Sequence, residues 1–294
     1  MSYSVIAIIY NPKSTGSSES LARSLHKDLS IKLPNQRIEL LATKHAGHAR
    51  ELAYDISKKY DKPLIISSSG DGGYNEVING ALQAQSEGAN PITSLLPAGN
   101  ANDHHRNLHN SSLIEQIVAM KTRSIDVLTL RGHIDSKQVT RYAHSYMGFG
   151  LTPRVGQELN KSKLNRITET LLVTKSLFTL KPVSLEIDGS IRSYDSVIFS
   201  NVDSMSKYLH ISSPSSIKDG ECEVTIFPHR SKFQLFFLLM KSLIFSSDEM
   251  MRVSSFALRT TDKTLFQADG EILTLDAKSK VAISVEKQLL RTIV

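Results

Sequence analysis

Short apolar runs and helical spacings alternate along the first 120 residues. Strand-like runs are expected at 4–10 (SVIAIIY), 37–43, 63–67 and 93–97. Between them the apolar positions recur every three or four residues, as on one face of a helix. Leu21, Leu25 and Leu29 do so within 18–33, and Ala49, Leu52, Ala53 and Ile56 within 47–60. Further helices are expected over 75–86 and 111–122, with Ser17 and Ser18 as caps of the first one. Strands that alternate with helices pair in parallel and build a layered α/β domain. The rhythm changes near Ser124. Strands at 125–131 and 139–147 flank a polar stretch at 132–137, and helical spacing runs through 155–178. Alternating runs then dominate at 183–188, 191–200, 222–227, 252–260, 264–268, 271–276 and 280–286, with one helix at 231–245. That pattern predicts an antiparallel, sheet-rich second domain. The expected organisation is thus α/β in two domains, 1–124 and 125–294, with a return of residues 288–294 to the first domain left open.

Composition narrows the class. At 294 residues the chain exceeds one average domain, and 40% hydrophobic with 22% charged residues suits ordinary soluble cores. A single cysteine, Cys222, excludes a disulfide framework and fits a reducing compartment. The N-terminal apolar run reads as a strand rather than a signal peptide. No run reaches the roughly 18–20 apolar residues that span a bilayer; the longest candidate, 233–245, is broken by Gln234, Lys241 and Ser242. The expected location is the cytoplasm, with peripheral contact at the inner face of the membrane as the form any association would take. A net charge of +6 suits an anionic substrate or an anionic surface. The Lys and Arg residues are scattered and tryptophan is absent, so no nucleic-acid partner is expected.

The chemistry concentrates at Ser67-Ser-Ser-Gly-Asp-Gly-Gly-Tyr-Asn-Glu-Val77, between the apolar strand before it and the following helix. Glycines let backbone N–H groups approach an anion, and a helix N-terminus carries partial positive charge. A carboxylate here, Asp71, repels phosphate unless a cation lies between them, which points to a metal-nucleotide. Two further polar loops, 11–16 and 97–106, leave strands at the same sheet edge, where open parallel sheets bind ligands. His104, His105 and His109 lack the spacing and acidic company of a zinc site.

These segments resemble the diacylglycerol kinase catalytic family, which includes bacterial lipid kinases, sphingosine kinases and ceramide kinases. SGDGGYNEV is similar to its GGDGTxNEV, NPKSTG to its NPxSG, and PAGNANDHHR to its PxGTxNDFAR. The stretch from Thr43 to Ala49 resembles its Thr-x-x-x-Gly-His-Ala segment. Gly148-Phe-Gly150 resembles its GxGxD/E segment, although Leu151 and Thr152 follow. Pro214 to Gly220 resembles its Pro-x-Ala-x-x-Asp-Gly turn, and Asp269-Gly-Glu271 its closing DGE. The glycine loop is shared with NAD kinases and phosphofructokinases.

The resemblance implies an ATP cleft between a nucleotide-binding domain and a lid and lipid-binding domain, with transfer of the γ-phosphate to a lipid hydroxyl. It assigns the nucleotide to Asn11, Pro12, Lys13, Ser14, Thr15, Gly16, Thr43, Gly70, Asp71, Gly72, Gly73, Tyr74, Asn75, Glu76, Gly99, Asn100 and Asp103. It assigns Mg²⁺ to Asp71, the general base to Glu271, and a structural Mg²⁺ to Ser216, Asp219 and Glu221. The implied cofactors are ATP and Mg²⁺, and the implied partner is a lipid at a membrane surface; a homodimer is compatible with the sequence. Three positions depart from the pattern: Ser69 replaces a glycine, Gly73 a threonine and Asn100 a threonine. A left-handed backbone at Ser69 would be strained, and Gly73 lacks a hydroxyl that could bind phosphate. The alternative expectation is therefore a nucleotide- or lipid-binding protein of the same fold with little or no kinase activity.

Overall fold

β1 (Ile6–Tyr10) is apolar and buried at every position, as suits a strand covered on both faces. It pairs in parallel with β2 (Ile38–Ala42) on one edge and β3 (Leu64–Ser69) on the other, and β3 pairs in parallel with β4 (Ile92–Pro97). The crossovers are helices α1 (Ser18–Lys32), α2 (His48–Lys59) and α3 (Asp71–Ser86); α4 (Leu113–Val118) follows later. Successive side chains of a strand point to opposite faces. Ile6 and Ile8 accordingly join Ala22, Leu25 and Leu29 of α1 and Ile117 of α4 in one cluster. Val5, Ala7 and Ile9 join Ala49, Ala53 and Ile56 of α2 and Val77 of α3 in another. The result is a layered α/β/α arrangement. The structure is a computed structural model that describes residues 2–14, 16–99, 112–161, 181–201, 204–205, 209–210, 218–229 and 250–293.

The chain divides into two compact units, 1–126 with 288–294, and 127–287. The final strand, predicted over 280–286, runs on as β17 (Lys280–Ile293). Its last residues pair in parallel with β4, Thr292 opposite Thr93, and Ile293 is fully buried. The Gln288 N–H donates to Asp126 Oδ1 at 2.7 Å.

The second unit is built from antiparallel pairs. It contains most of β5 (Thr122–Ile134), then β6 (Lys137–Ala143), β7 (Tyr146–Gly150), helix α5 (Leu151–Lys161), β8 (Val183–Ile187) and β9 (Ser190–Ser200). A short pair, β10 (Ser204–Met205) and β11 (Leu209–His210), precedes β12 (Cys222–Pro228), β13 (Met250–Val253), β14 (Ser255–Thr260), β15 (Thr264–Ala268) and β16 (Glu271–Leu275). β7 pairs with β15 and β9, β9 also with β8 and β12, and β14 with β8 and β17. The core centres on Phe149, whose ring lies 6.5 Å from Phe199 and 6.2 Å from Phe266. Hairpin turns at Asp135–Ser136, Asp188–Gly189 and Asp269–Gly270 have positive φ at both residues, the geometry that matches strand twist.

The structure redraws several boundaries. The strand expected over 139–147 is two strands, because the buried Asp269 carboxylate accepts the backbone N–H groups of His144, Ser145 and Tyr146 at 2.6–3.0 Å. The run 252–260 breaks at Ser254, whose carbonyl accepts the Val285 N–H at 2.9 Å. The helical stretch expected from 155 begins at Leu151, and its part beyond 161 lies outside the described residues, as does the apolar helix expected at 231–245. No described helix is long and apolar enough to cross a membrane.

Candidate functional site

The described parts of the three polar segments, 11–14 with 16, 67–76 and 97–99, meet at the carboxyl ends of β1, β3 and β4. Loop 11–14 is an Asx turn: Asn11 Oδ1 accepts the Lys13 N–H at 2.9 Å, and Asn11 O accepts the Ser14 N–H at 3.2 Å. Two serines tie it to β3. Ser18 Oγ donates to Ser68 O and accepts the Asn11 N–H at 3.2 Å, while Ser68 Oγ donates to Ser18 O at 2.7 Å. Both serines are buried. Neither Ser17 nor Ser18 caps α1 through its side chain; Ser18 is a cross-loop tie instead. The third loop is held by the Ala98 N–H, which donates to Ser69 O at 2.9 Å.

Glycines allow this approach. A Cβ on Gly16 would sit 2.5 Å from Ala98 O, and one on Gly70 would sit 3.2 Å from Gly99 Cα. The loops therefore converge through backbone rather than through side chains. α3 begins at Asp71, four residues earlier than the spacing predicts, with Gly70 in extended backbone as its N-cap. Gly72 and Gly73 thus form its first turn rather than a loop. Asp71 also lies in that first turn, half-buried. Ser69 belongs to β3 and has no positive φ, so the strain expected of a serine there does not arise.

Beside this junction lies a cavity of about 400 Å³. Of the residues predicted to bind nucleotide, Asn11, Lys13, Thr43, Gly73 and Glu76 line it. Pro12, Ser14 and Gly16 belong to the adjoining loop. Tyr74 and Asn75 are placed differently. Tyr74 is fully buried, its hydroxyl 3.0 Å from Thr93 Oγ1 and 3.2 Å from Thr292 Oγ1, where it ties α3 to β4 and β17. Asn75 is also fully buried, and its side-chain oxygen accepts from Asn79 Nδ2 at 3.1 Å. Both follow from helical phase once α3 starts at Asp71. Thr15, Asn100, Asp103 and Ser216 lie outside the described residues, as do His104, His105, Arg106 and His109.

The cavity's other wall is Lys44, His45 and Ala46 with the serines at 67–69; sequence reading names both stretches but assigns none of these residues to the nucleotide. The signal was the Thr43–Ala49 stretch. Gly47 has φ 83°, which favours glycine, and Glu76 Oε1 accepts its N–H at 3.2 Å. His48 Nδ1 accepts the Lys44 N–H at 3.1 Å and closes the loop. Nitrogen or oxygen atoms of His45, His48 and Glu51 lie within 4.8 Å of one another. With His48 Nδ1 already engaged and the His45 ring bonded to Ala46 O at 3.0 Å, loop closure accounts for both histidines.

In the second unit, Glu271 opens β16 directly after the Asp269–Gly270 turn and is half-buried. Asp269, which the sequence places in the closing motif without a role of its own, fixes that turn through its three backbone hydrogen bonds. Of the residues expected to hold a structural Mg²⁺, Asp219 and Glu221 are described, and both face a guanidinium. Asp219 Oδ1 accepts the Glu221 N–H at 3.1 Å, and Oδ2 accepts from Arg252 Nη2 at 2.5 Å. The same guanidinium lies 3.8 Å from Glu221 and 3.5 Å from Glu223. Gly220 has φ 77°, and a Cβ there would sit 2.7 Å from Lys287 Nζ. Two protein cations occupy this turn.

Comparison with known proteins gives the same direction throughout. Residues 5–130 match a family model described as the diacylglycerol kinase catalytic domain. A diacylglycerol kinase of Staphylococcus saprophyticus is 32% identical over 199 residues, 65% of this chain and 59% of the relative. The chain thus spans less than two thirds of that relative's length. A diacylglycerol kinase of Bacillus subtilis is 28% identical over 95% of this chain and 88% of the relative. A sphingoid long-chain bases kinase of Arabidopsis thaliana is 36% identical over 98 residues, 32% of this chain and 13% of the relative. A crystal structure of a diacylglycerol kinase from Bacillus anthracis shares the fold, with a TM-score of 0.69 at 18% identity over 100% of this chain and 97% of that one.

Proposed function

The chain belongs to the diacylglycerol kinase catalytic-domain family through residues 5–130, and from that premise we propose that it transfers the γ-phosphoryl group of ATP to the hydroxyl of a lipid. The observation that carries the reading is the cavity lined by Asn11, Lys13, Thr43, Gly73 and Glu76 beside the junction of three glycine loops. Backbone N–H groups at a helix start suit a polyphosphate, and Lys13 adds positive charge. Asp71 in the first turn of α3 would hold Mg²⁺, which would neutralise the charge that develops on the phosphates. Phosphoryl transfer needs little covalent help from the protein beyond positioning and charge. In this reading Glu271 takes the proton of the acceptor hydroxyl as its oxygen bonds to the γ-phosphorus and ADP leaves. The acceptor is a diacylglycerol or a related lipid met at a membrane surface, and the net charge of +6 favours an anionic one.

The test is incubation with labelled ATP, Mg²⁺ and mixed micelles containing diacylglycerol, monoacylglycerol, sphingosine or ceramide. Label is expected on one class of lipid. ATP binding with label on none of them would support a binding protein of the same fold. Asp71→Asn and Glu271→Gln are each expected to slow transfer by about 100-fold or more with circular dichroism unchanged. Normal turnover by Glu271→Gln would remove it as the base.

A further inference from the structure

Two cavity-lining positions, Ser69 and Gly73, are complementary in space. Ser69 is the last residue of β3, and Gly73 lies in the first turn of α3. A Cβ built on Gly73 would stand 2.7 Å from both Ser69 Cβ and Ser69 Oγ. No real Cβ tolerates that approach, so the Ser69 side chain fills the space that a side chain at position 73 would claim. Its hydroxyl is held there by two neighbours. Ser69 Oγ donates to Gly70 O at 2.9 Å and lies 2.7 Å from Ser67 Oγ. With Ser69 as donor to Gly70, Ser67 is the donor within the serine pair. A serine hydroxyl hydrogen rotates to suit its acceptor, so the Ser69 hydroxyl can turn from Gly70 O to an anion in the cavity without moving its oxygen.

The pattern this loop resembles carries the opposite pair, a glycine at position 69 and a threonine at position 73. Exchanging one of these residues alone would either collide with its neighbour or leave the space between positions 69 and 73 without a hydroxyl. Exchanging both keeps one side chain and one hydroxyl in the same space. We propose that Ser69 and Gly73 form a compensated pair, in which Ser69 Oγ gives the nucleotide phosphates the hydroxyl contact that residue 73 lacks. The inference rests on the reading of the cavity as a nucleotide site. It makes Ser69 a nucleotide-positioning residue rather than a sign of a decayed loop.

The test is a double-mutant cycle on the 294-residue chain: native, Ser69→Gly, Gly73→Thr and the double variant, with Ser69→Ala as a side-chain-retaining control. Two quantities are measured, the melting temperature without ligand and the calorimetric affinity for Mg·ATP, with adenosine as a phosphate-free comparator. Gly73→Thr alone is expected to lower the melting temperature, and the double variant to restore it. Ser69→Gly and Ser69→Ala are each expected to weaken ATP binding about tenfold or more while leaving adenosine binding unchanged. The double variant should return to within about threefold of native affinity. Native-like ATP affinity in Ser69→Ala would overturn the hydroxyl assignment. A double variant no better than the worse single variant, in both quantities, would overturn the compensation. A native protein that binds no ATP would sink the nucleotide reading beneath it, and the ligand-free stability cycle tells that failure apart from failure of the pairing.

Discussion

Tyr3 shows how one buried hydroxyl sets an alkaline limit on stability. Its hydroxyl donates to Ile117 O at 3.1 Å, and burial pushes its pKa from 10.0 to about 12. The folded state thus keeps a proton that the unfolded chain releases near pH 10. The stabilisation is complete below about pH 10 and is lost as pH rises to about 12. Tyr3→Phe should flatten the loss of stability between these values, measured by urea unfolding at pH 9 and 11.5; an unchanged slope would contradict the assignment. Cys222 is set the same way. Burial raises its thiol pKa to about 12, so at pH 8 it should resist a thiol reagent until the second unit unfolds; prompt labelling of the native protein would contradict its burial. Candidate residues were legible only in part at this scale. Asn11, Lys13, Thr43, Gly73 and Glu76 are assigned through the family resemblance of their segments, and all line the cavity. Tyr74 and Asn75 do not, because a shift of four residues in the start of α3 rotates both into the core. Ser18 looked like a cap because serine usually is one; its tie to Ser68 crosses between elements and leaves no trace in local sequence.

Elements of the first unit were readable because each obeys a period, and burial on one face or two decides which period. The second unit was readable as antiparallel runs but not at its breaks. Asp269 interrupts one run by accepting N–H groups more than 120 positions away in sequence, a contact that no window of residues reveals. Gly80 poses the same problem inside α3, where glycine normally weakens a helix by about 1 kcal/mol relative to alanine. Here it permits contact with α2. A Cβ on Gly80 would sit 2.1 Å from Arg50 O and 3.1 Å from Ala53 Cβ. The backbone of α2 cannot yield as a flexible side chain would. Gly80→Ala should therefore destabilise the protein by about 1–3 kcal/mol despite its better helix propensity, read as a lower midpoint of urea unfolding. A raised midpoint would mean that the two helices separate freely.

At the scale of the molecule, the proposed transfer and the fold are expected to make different demands on divalent cations. Transfer from ATP is expected to need Mg²⁺ at Asp71. The second unit, by contrast, carries its own cations at the turn where the resemblance implies a structural ion. Arg252 on β13 faces Asp219, Glu221 and Glu223, and the Lys287 ammonium lies over Gly220. A guanidinium makes planar, paired contacts with carboxylates and never loses its charge in proteins. It satisfies Asp219 without the dehydration that Mg²⁺ resists. Excess EDTA should therefore abolish phosphoryl transfer while leaving the melting temperature within about 1 °C, a shift well below that of a 1 kcal/mol change. Arg252→Gln should lower stability by about 0.5–1 kcal/mol, the upper range for half-exposed ion pairs, whether or not Mg²⁺ is present. A native protein that melts earlier in EDTA, and recovers with Mg²⁺ unless Asp219 is replaced by Asn, would show that the turn holds a metal after all. If the expected result is found, the two units depend on different cations: the first on an ion that arrives with its nucleotide, the second on two side chains it already owns.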